Sequence, residues 1–248
     1  MGSDTAEQVT VLVIDDEKPT LTMFRLFLSA YGYNVLCAEN GTRGLELVRT
    51  HAPRIVFTDL KMPEMDGIEV LKRIKQQAPQ TEVIVITGHG DMDLAMQALN
   101  LDASDFINKP IDRTALNAAL DRARTRLADP GARCCKLTFE QRGRVSLVHI
   151  EGTLSGSHEG RLTRLMDKGL QAGSCGLLLS FAPHSALDGA GIGALVRLIA
   201  KSGSGRPPVA AAGLSVNFSL LLKMVGLTRF MTLYATEQEA LEALARGG

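Results

Sequence analysis

The sequence predicts an α/β protein: a doubly wound, five-stranded parallel sheet followed by a second α/β unit with a mixed sheet. Three observations carry this. Across residues 10–127, five short β-branched runs alternate with five stretches of helical spacing, the rhythm of βαβ units. The strand runs are almost continuously apolar, so both faces of the sheet are covered. At Ala128-Asp129-Pro130-Gly131-Ala132 the pattern breaks, and the residues beyond it keep a different rhythm.

Taken in order, the first-half strands are Thr10–Ile14, Asn34–Ala38, Ile55–Thr58, Glu82–Thr87 and Asp105–Asn108. Helical spacing covers Thr20–Tyr31, Thr42–His51, Gly67–Gln77, Met92–Leu101 and Arg113–Leu127. The second half opens with strands Lys136–Gln141 and Val145–Ile150, joined by a hairpin connection at Arg142-Gly143. A helix from His158 to Ala172 places Leu162, Leu165, Met166 and Leu170 on one face. Then come strand Gly176–Phe181, a helix from Asp188 to about Ser202, strand Val209–Gly213, helix Val216–Val225, strand Thr232–Tyr234 and helix Glu237–Ala245. The expected organisation is a tail over 1–8, domains over 9–127 and 134–248, and a linker over 128–133.

Composition narrows the function. The chain has 248 residues, 45% hydrophobic and 22% charged, enough to build cores. Lys+Arg and Asp+Glu both total 27, which argues against a DNA-binding output. That neutrality hides two halves: residues 1–128 hold 14 basic and 18 acidic residues, residues 129–248 hold 13 and 9. No apolar run approaches the roughly 18–20 residues of a membrane span. The first residues lack the pattern of a secretory signal, and Ala6 replaces the hydroxyl expected of a myristoylation site. Cys37, Cys134, Cys135 and Cys175 form no C-x-x-C, so the expectation is a reduced, cytoplasmic protein. His158-Glu159 lacks the second histidine of a zinc-protease site, and Gly189-Ala190-Gly191-Ile192-Gly193 is one residue short of a dinucleotide fingerprint.

The acids in the first half fall where a parallel sheet places its ligands, just past the strand ends. Asp15 and Asp16 follow the first strand and Asp59 the third, while Thr87 and Lys109 end the fourth and fifth. Three converging carboxylates need a cation among them, and Mg²⁺ suits an all-oxygen set with room for a phosphate. An aspartate nucleophile with such neighbours fits phosphoryl transfer. A haloacid-dehalogenase-type phosphatase also uses these groups, but it needs D-x-D after the first strand, and here the acids are adjacent.

Residues 9–127 resemble the receiver domain of two-component response regulators, a flavodoxin-like fold. The matching motifs are Val13-Ile14-Asp15-Asp16-Glu17, Thr58-Asp59-Leu60-Lys61-Met62-Pro63-Glu64-Met65-Asp66-Gly67, Ile86-Thr87-Gly88 and Phe106-Ile107-Asn108-Lys109-Pro110. The resemblance implies that Asp59 is the phosphoacceptor and that a histidine kinase is the donor. It implies that Asp15, Asp16, Asp59 and the Lys61 carbonyl bind Mg²⁺. Lys109 and Thr87 contact the phosphoryl group, Phe106 is the switching aromatic, and Lys109–Pro110 is cis. The only chemistry implied is phosphoryl transfer to, and loss from, Asp59.

Residues 134–248 resemble the STAS domain, the fold of anti-anti-sigma factors. The matching pieces are Gly152-x-Leu154, Leu187-Asp188-x-x-Gly191-Ile192-Gly193-Ala194-Leu195, Leu221-Leu222-x-x-x-Gly226-Leu227 and Glu237-Gln238-Glu239-Ala240-Leu241. The implied function is protein binding, with an anti-sigma factor or switch kinase as partner and sigma-factor partner switching as the process. The family's phosphorylatable serine follows the aspartate, but here Asp188 is followed by Gly189. The expectation is therefore a response regulator whose receiver gates a STAS output. The alternatives are a phosphorylation-controlled homodimer scaffold and a STAS module that senses a small ligand near Asp188.

Overall fold

The computed structural model describes residues 8–88, 90–200 and 207–246. The expected N-terminal tail, all but its last residue, and the expected helix end near Ser202 lie outside these. The chain divides into two compact units between Leu127 and Ala128.

The first unit alternates strand and helix throughout: β1 (Thr10–Ile14), α1 (Lys18–Ala30), β2 (Asn34–Ala38), α2 (Gly41–His51), β3 (Ile55–Asp59), α3 (Gly67–Gln77), β4 (Glu82–Thr87), α4 (Met92–Asn100), β5 (Asp105–Asn108) and α5 (Arg113–Ala128). The five strands form one sheet in the order β2-β1-β3-β4-β5, every pair parallel. β1, β3 and β4 sit in the interior of the sheet, and Val11–Ile14, Ile55–Phe57 and Val83–Ile86 are wholly buried. The apolar strands therefore carry helices on both faces, as their composition requires. Helix α1 starts two residues before the Thr20 expected from spacing, because Pro19 fits the first turn. Asn40 and Asp66 cap α2 and α3 through the amides of Arg43 and Glu69.

The second unit contains β6 (Lys136–Arg142), β7 (Val145–Glu151), β8 (Thr153–Leu154), α6 (Glu159–Gln171), β9 (Gly176–Phe181), β10 (Ala186–Leu187), α7 (Gly189–Ala200), β11 (Val209–Ala212), α8 (Val216–Met224), β12 (Met231–Tyr234) and α9 (Glu237–Arg246). Its main sheet runs β12-β11-β9-β7-β6. The β6–β7 pair is antiparallel and the others are parallel, which makes the sheet mixed. Arg142 pairs with Val145, so the hairpin turn is Gly143-Arg144, one step beyond the expected position, with Gly143 at φ 59°. Spacing did not reveal the two-residue strands β8 and β10, which pair parallel beneath α7. Two residues are too few to show a period.

Candidate functional site

In the first sheet β2 and β3 lie on opposite sides of β1, so the chain reverses direction of winding between β1 and β3. A crevice opens there at the carboxyl ends of the strands. Register pairs Ile14 with Thr58 and Asp59 with Ile86, which brings the residues following β1 to the end of β3. Asp15, Asp16 and Asp59 each present a carboxylate oxygen within 4.8 Å of the others. Asp15 and Asp59 are buried, and Asp16 is exposed.

Lys109, just past β5, closes the cluster. Its Nζ lies 2.6 Å from Asp59 Oδ2, 3.2 Å from Asp15 Oδ2 and 3.2 Å from Glu17 Oε2. Its backbone amide donates to the Thr87 carbonyl at 2.7 Å, and the Lys109–Pro110 peptide is cis. Burial alone would lower the Lys109 pKa, but the hydrogen bond and charge of Asp59, then Asp15 and Glu17, outweigh it and raise the value. The pKa of Asp15 is raised as well, which for a carboxylate favours the neutral form. Burial raises its pKa, and the Glu17 amide and Lys109 offset that only in part. Asp15 Oδ1 accepts from the Glu17 amide at 2.8 Å. Its buried Oδ2 has the Lys109 ion pair but no hydrogen bond. One lysine facing three clustered acids leaves negative charge in excess, and an all-oxygen donor set with an unsatisfied buried oxygen fits a hard divalent cation.

The remaining expected residues surround this cluster. Thr87 is almost wholly buried, with its Oγ1 3.5 Å from the Asp91 carbonyl as donor. Phe106 is fully buried in β5. Lys61 meets Asp59 through its amide, which donates to Oδ1 at 3.2 Å. Its side chain reaches Asp91 Oδ1 at 2.7 Å, linking the β3–α3 and β4–α4 loops. Asp91 was not among the residues singled out by sequence. It lies at the N-cap of α4 yet caps nothing with its side chain, and a short polar residue in a loop carries no sequence signal for such a cross-loop pair.

In the second unit, Asp188 Oδ1 accepts from the Gly191 amide at 2.6 Å and caps α7. Gly189 is buried, whereas Ala190 is exposed. A Cβ on Gly191 would lie 2.1 Å from the Leu154 carbonyl oxygen, so the turn that opens α7 presses directly on β8. A cavity of about 390 Å³ opens elsewhere, against Ser180, Phe181, His149 and Glu237, and Asp188 does not line it.

Residues 11–121 match the response regulator receiver domain family and residues 136–240 match the STAS domain family. Among curated proteins, the transcriptional regulatory protein ZraR of Klebsiella oxytoca is 39% identical over 127 residues, covering 50% of this chain and 29% of that one. The ZraR of Escherichia coli K12 is 35% identical over 141 residues, covering 57% and 32%. The chain thus spans about a third or less of these relatives' length. A response regulator receiver domain protein from Clostridium thermocellum, solved by crystallography, is 35% identical, covering 49% of this chain and 99% of that one, with a TM-score of 0.46. In order along the chain, a response regulator receiver domain is followed by a STAS domain.

Proposed function

We propose that Asp59 accepts a phosphoryl group from a histidine kinase and that its phosphorylation gates protein binding by the STAS domain. The observation that carries the first part is the Lys109 ammonium 2.6 Å from Asp59 Oδ2, beside two further carboxylates at the ends of parallel strands. An Asp59 oxygen attacks phosphorus in line with the departing donor nitrogen. Lys109 then follows the charge from the Asp59 carboxylate to an equatorial phosphoryl oxygen, so its positive charge is already in place when the transition state forms. Asp15, Asp16, Asp59 and the Lys61 carbonyl would hold Mg²⁺, which when bound screens the carboxylates from the incoming phosphoryl oxygens. The Thr87 hydroxyl gives up its long contact with Asp91 and donates to the new oxyanion. Phe106, buried on the adjacent strand, repacks as that end of β4 moves.

In this reading the chain is not an enzyme beyond phosphoryl transfer to, and loss from, Asp59, and it works in the cytoplasm. The STAS domain binds an anti-sigma factor or switch kinase in sigma-factor partner switching. With Gly189 in place of a hydroxyl residue, the turn at Asp188 takes no phosphate of its own, so control passes to the receiver. Acetyl phosphate with Mg²⁺ should add one phosphoryl group, read by intact mass and removed by hydroxylamine. Equal labelling of Asp59→Asn would overturn the assignment. Equal partner binding by labelled and unlabelled protein would overturn the gating.

A further inference from the structure

We infer that helix α8 is the ridge by which the STAS domain docks on a protein partner, and that the partner offers an apolar groove rimmed by acidic side chains. The inference rests on the reading of this domain as a protein-binding output and names the surface and the chemistry. Val216, Leu220 and Met224 recur every four residues along one face of α8, and are 52%, 39% and 47% exposed. The opposite face, Asn217, Phe218, Leu221 and Leu222, is buried. The outward face of a surface helix is ordinarily polar, and here it carries three large apolar side chains. Phe230, 54% exposed, directly follows the 3-10 turn Leu227–Arg229 that packs against α8. Among the described residues, these four are the exposed large hydrophobic side chains of the domain, so they are gathered, not scattered as ordinary surface apolar residues are.

Charge selects the occupant. From Gly189 to Thr236 the sequence has five Lys and Arg and no Asp or Glu. Lys223, on α8, and Arg229 are exposed beside the stripe, and among the described residues neither has an acidic partner. A second copy packed two-fold on this face would set these cations against their own counterparts. A lipid surface calls for a cluster of about four to eight cations, and two border the stripe. An amphipathic helix seated in an apolar groove, its flanking cations meeting acids at the rim, satisfies both the apolar area and the charge.

The test places the photoreactive amino acid p-benzoylphenylalanine at Leu220, at Met224 and, as a control, at exposed Gln238 on α9, in the full chain produced in its native cell. Irradiation should yield one protein adduct from positions 220 and 224 and none from 238, with the captured peptide mapping to an apolar surface bordered by Asp or Glu. Leu220→Asp, with the probe moved to Met224, should cut the yield by about tenfold, as for an anchor side chain, while Leu220→Gln checks that the fold survives. No adduct, an adduct to a second copy, or sedimentation of the purified chain with phosphatidylglycerol vesicles would each overturn the inference. An adduct equally strong in Asp59→Asn would defeat the gating and leave the docking ridge standing. Phosphorylation-gated binding that persists in Leu220→Asp would defeat the ridge alone.

Discussion

A methyl group at position 67 would sit 2.1 Å from the Asp59 carbonyl oxygen and 2.8 Å from the Leu60 Cα, so the loop that follows Asp59 closes only on glycine. The atoms in the way are backbone, which cannot swing aside. Gly67→Ala should therefore cost about 1–3 kcal/mol, the range of overpacked sites, and should slow labelling by acetyl phosphate because the end of β3 must shift. Gly160→Ala, in α6, meets nothing within 4 Å and should stabilise by up to about 1 kcal/mol. Chemical denaturation of the two variants checks both signs. The vicinal thiols separate by the same logic of surroundings. Burial pushes the Cys135 thiol up to about 11, so at neutral pH it stays protonated and unreactive. Exposed Cys134 should take up iodoacetamide first, and peptide mapping at partial labelling reads the order.

Four parts of the receiver, α3, the start of β4, the α4–β5 turn and α5, meet in an ionic network away from Asp59, buried except at half-exposed Asp102. Arg126 of α5 forms an ion pair with Glu82, at the start of β4, through Nε at 3.1 Å, and its Nη2 donates to Asp102, between α4 and β5, at 2.9 Å. Lys75 of α3 bonds Asp102 at 3.0 Å, and the Ser104 hydroxyl donates to Glu82. Burial works against the Asp102 charge, but Lys75 and then Arg126 outweigh it and hold the carboxyl below its ordinary value of 3.8. A depressed carboxylate contributes stability above its unfolded pKa and loses it as pH falls through the folded one. Burial also lowers the pKa of Lys75 from its ordinary 10.5, against the pull of Asp102. Asp102→Asn should thus cost stability at neutral pH, with the gap to the wild type narrowing from roughly pH 5 to pH 3. Asparagine tolerates the φ of 64° at this position, so the variant isolates the charge. Thermal melts across that interval are the measurement. The network also marks how far the sequence could be read. Strands such as Val83–Ile86 and the acids at the carboxyl ends of β1 and β3 were legible, because apolar runs and motif spacing are local signals. Lys75, Asp102 and Arg126 were not, since each alone resembles a solvated charge. Their pairing spans 24 and 27 residues, and it exists only once α3, α5 and the α4–β5 turn are packed. The pairs β8–β10 and Lys61–Asp91 escaped for the same reason.

Each of the two units has its own buried apolar residues. In the receiver Val11, Val13, Phe24, Leu28, Ile55, Phe57, Ile84 and Ile107 belong to one buried cluster, whereas Val145, Leu147, Leu178, Ala210 and Leu244 form another in the STAS unit. The contacts divide between Leu127 and Ala128, so each unit has the apolar burial needed to unfold as its own cooperative step. A ligand that binds one folded unit stabilises that unit alone, by about 2.7 kcal/mol at a concentration of 100 Kd. Of the two, the receiver holds the clustered acids Asp15, Asp16 and Asp59. Calorimetry should resolve two transitions, and saturating Mg²⁺ should raise only one of them, by on the order of 10 °C for a domain of this size. Asp59→Asn, which removes one of the three charges, should shrink that shift and leave the other transition where it was. A single transition that moves as a whole with Mg²⁺ would mean that the two cores melt together. The boundary at residues 128–133 would then mark a change in sequence rhythm and no independence in folding.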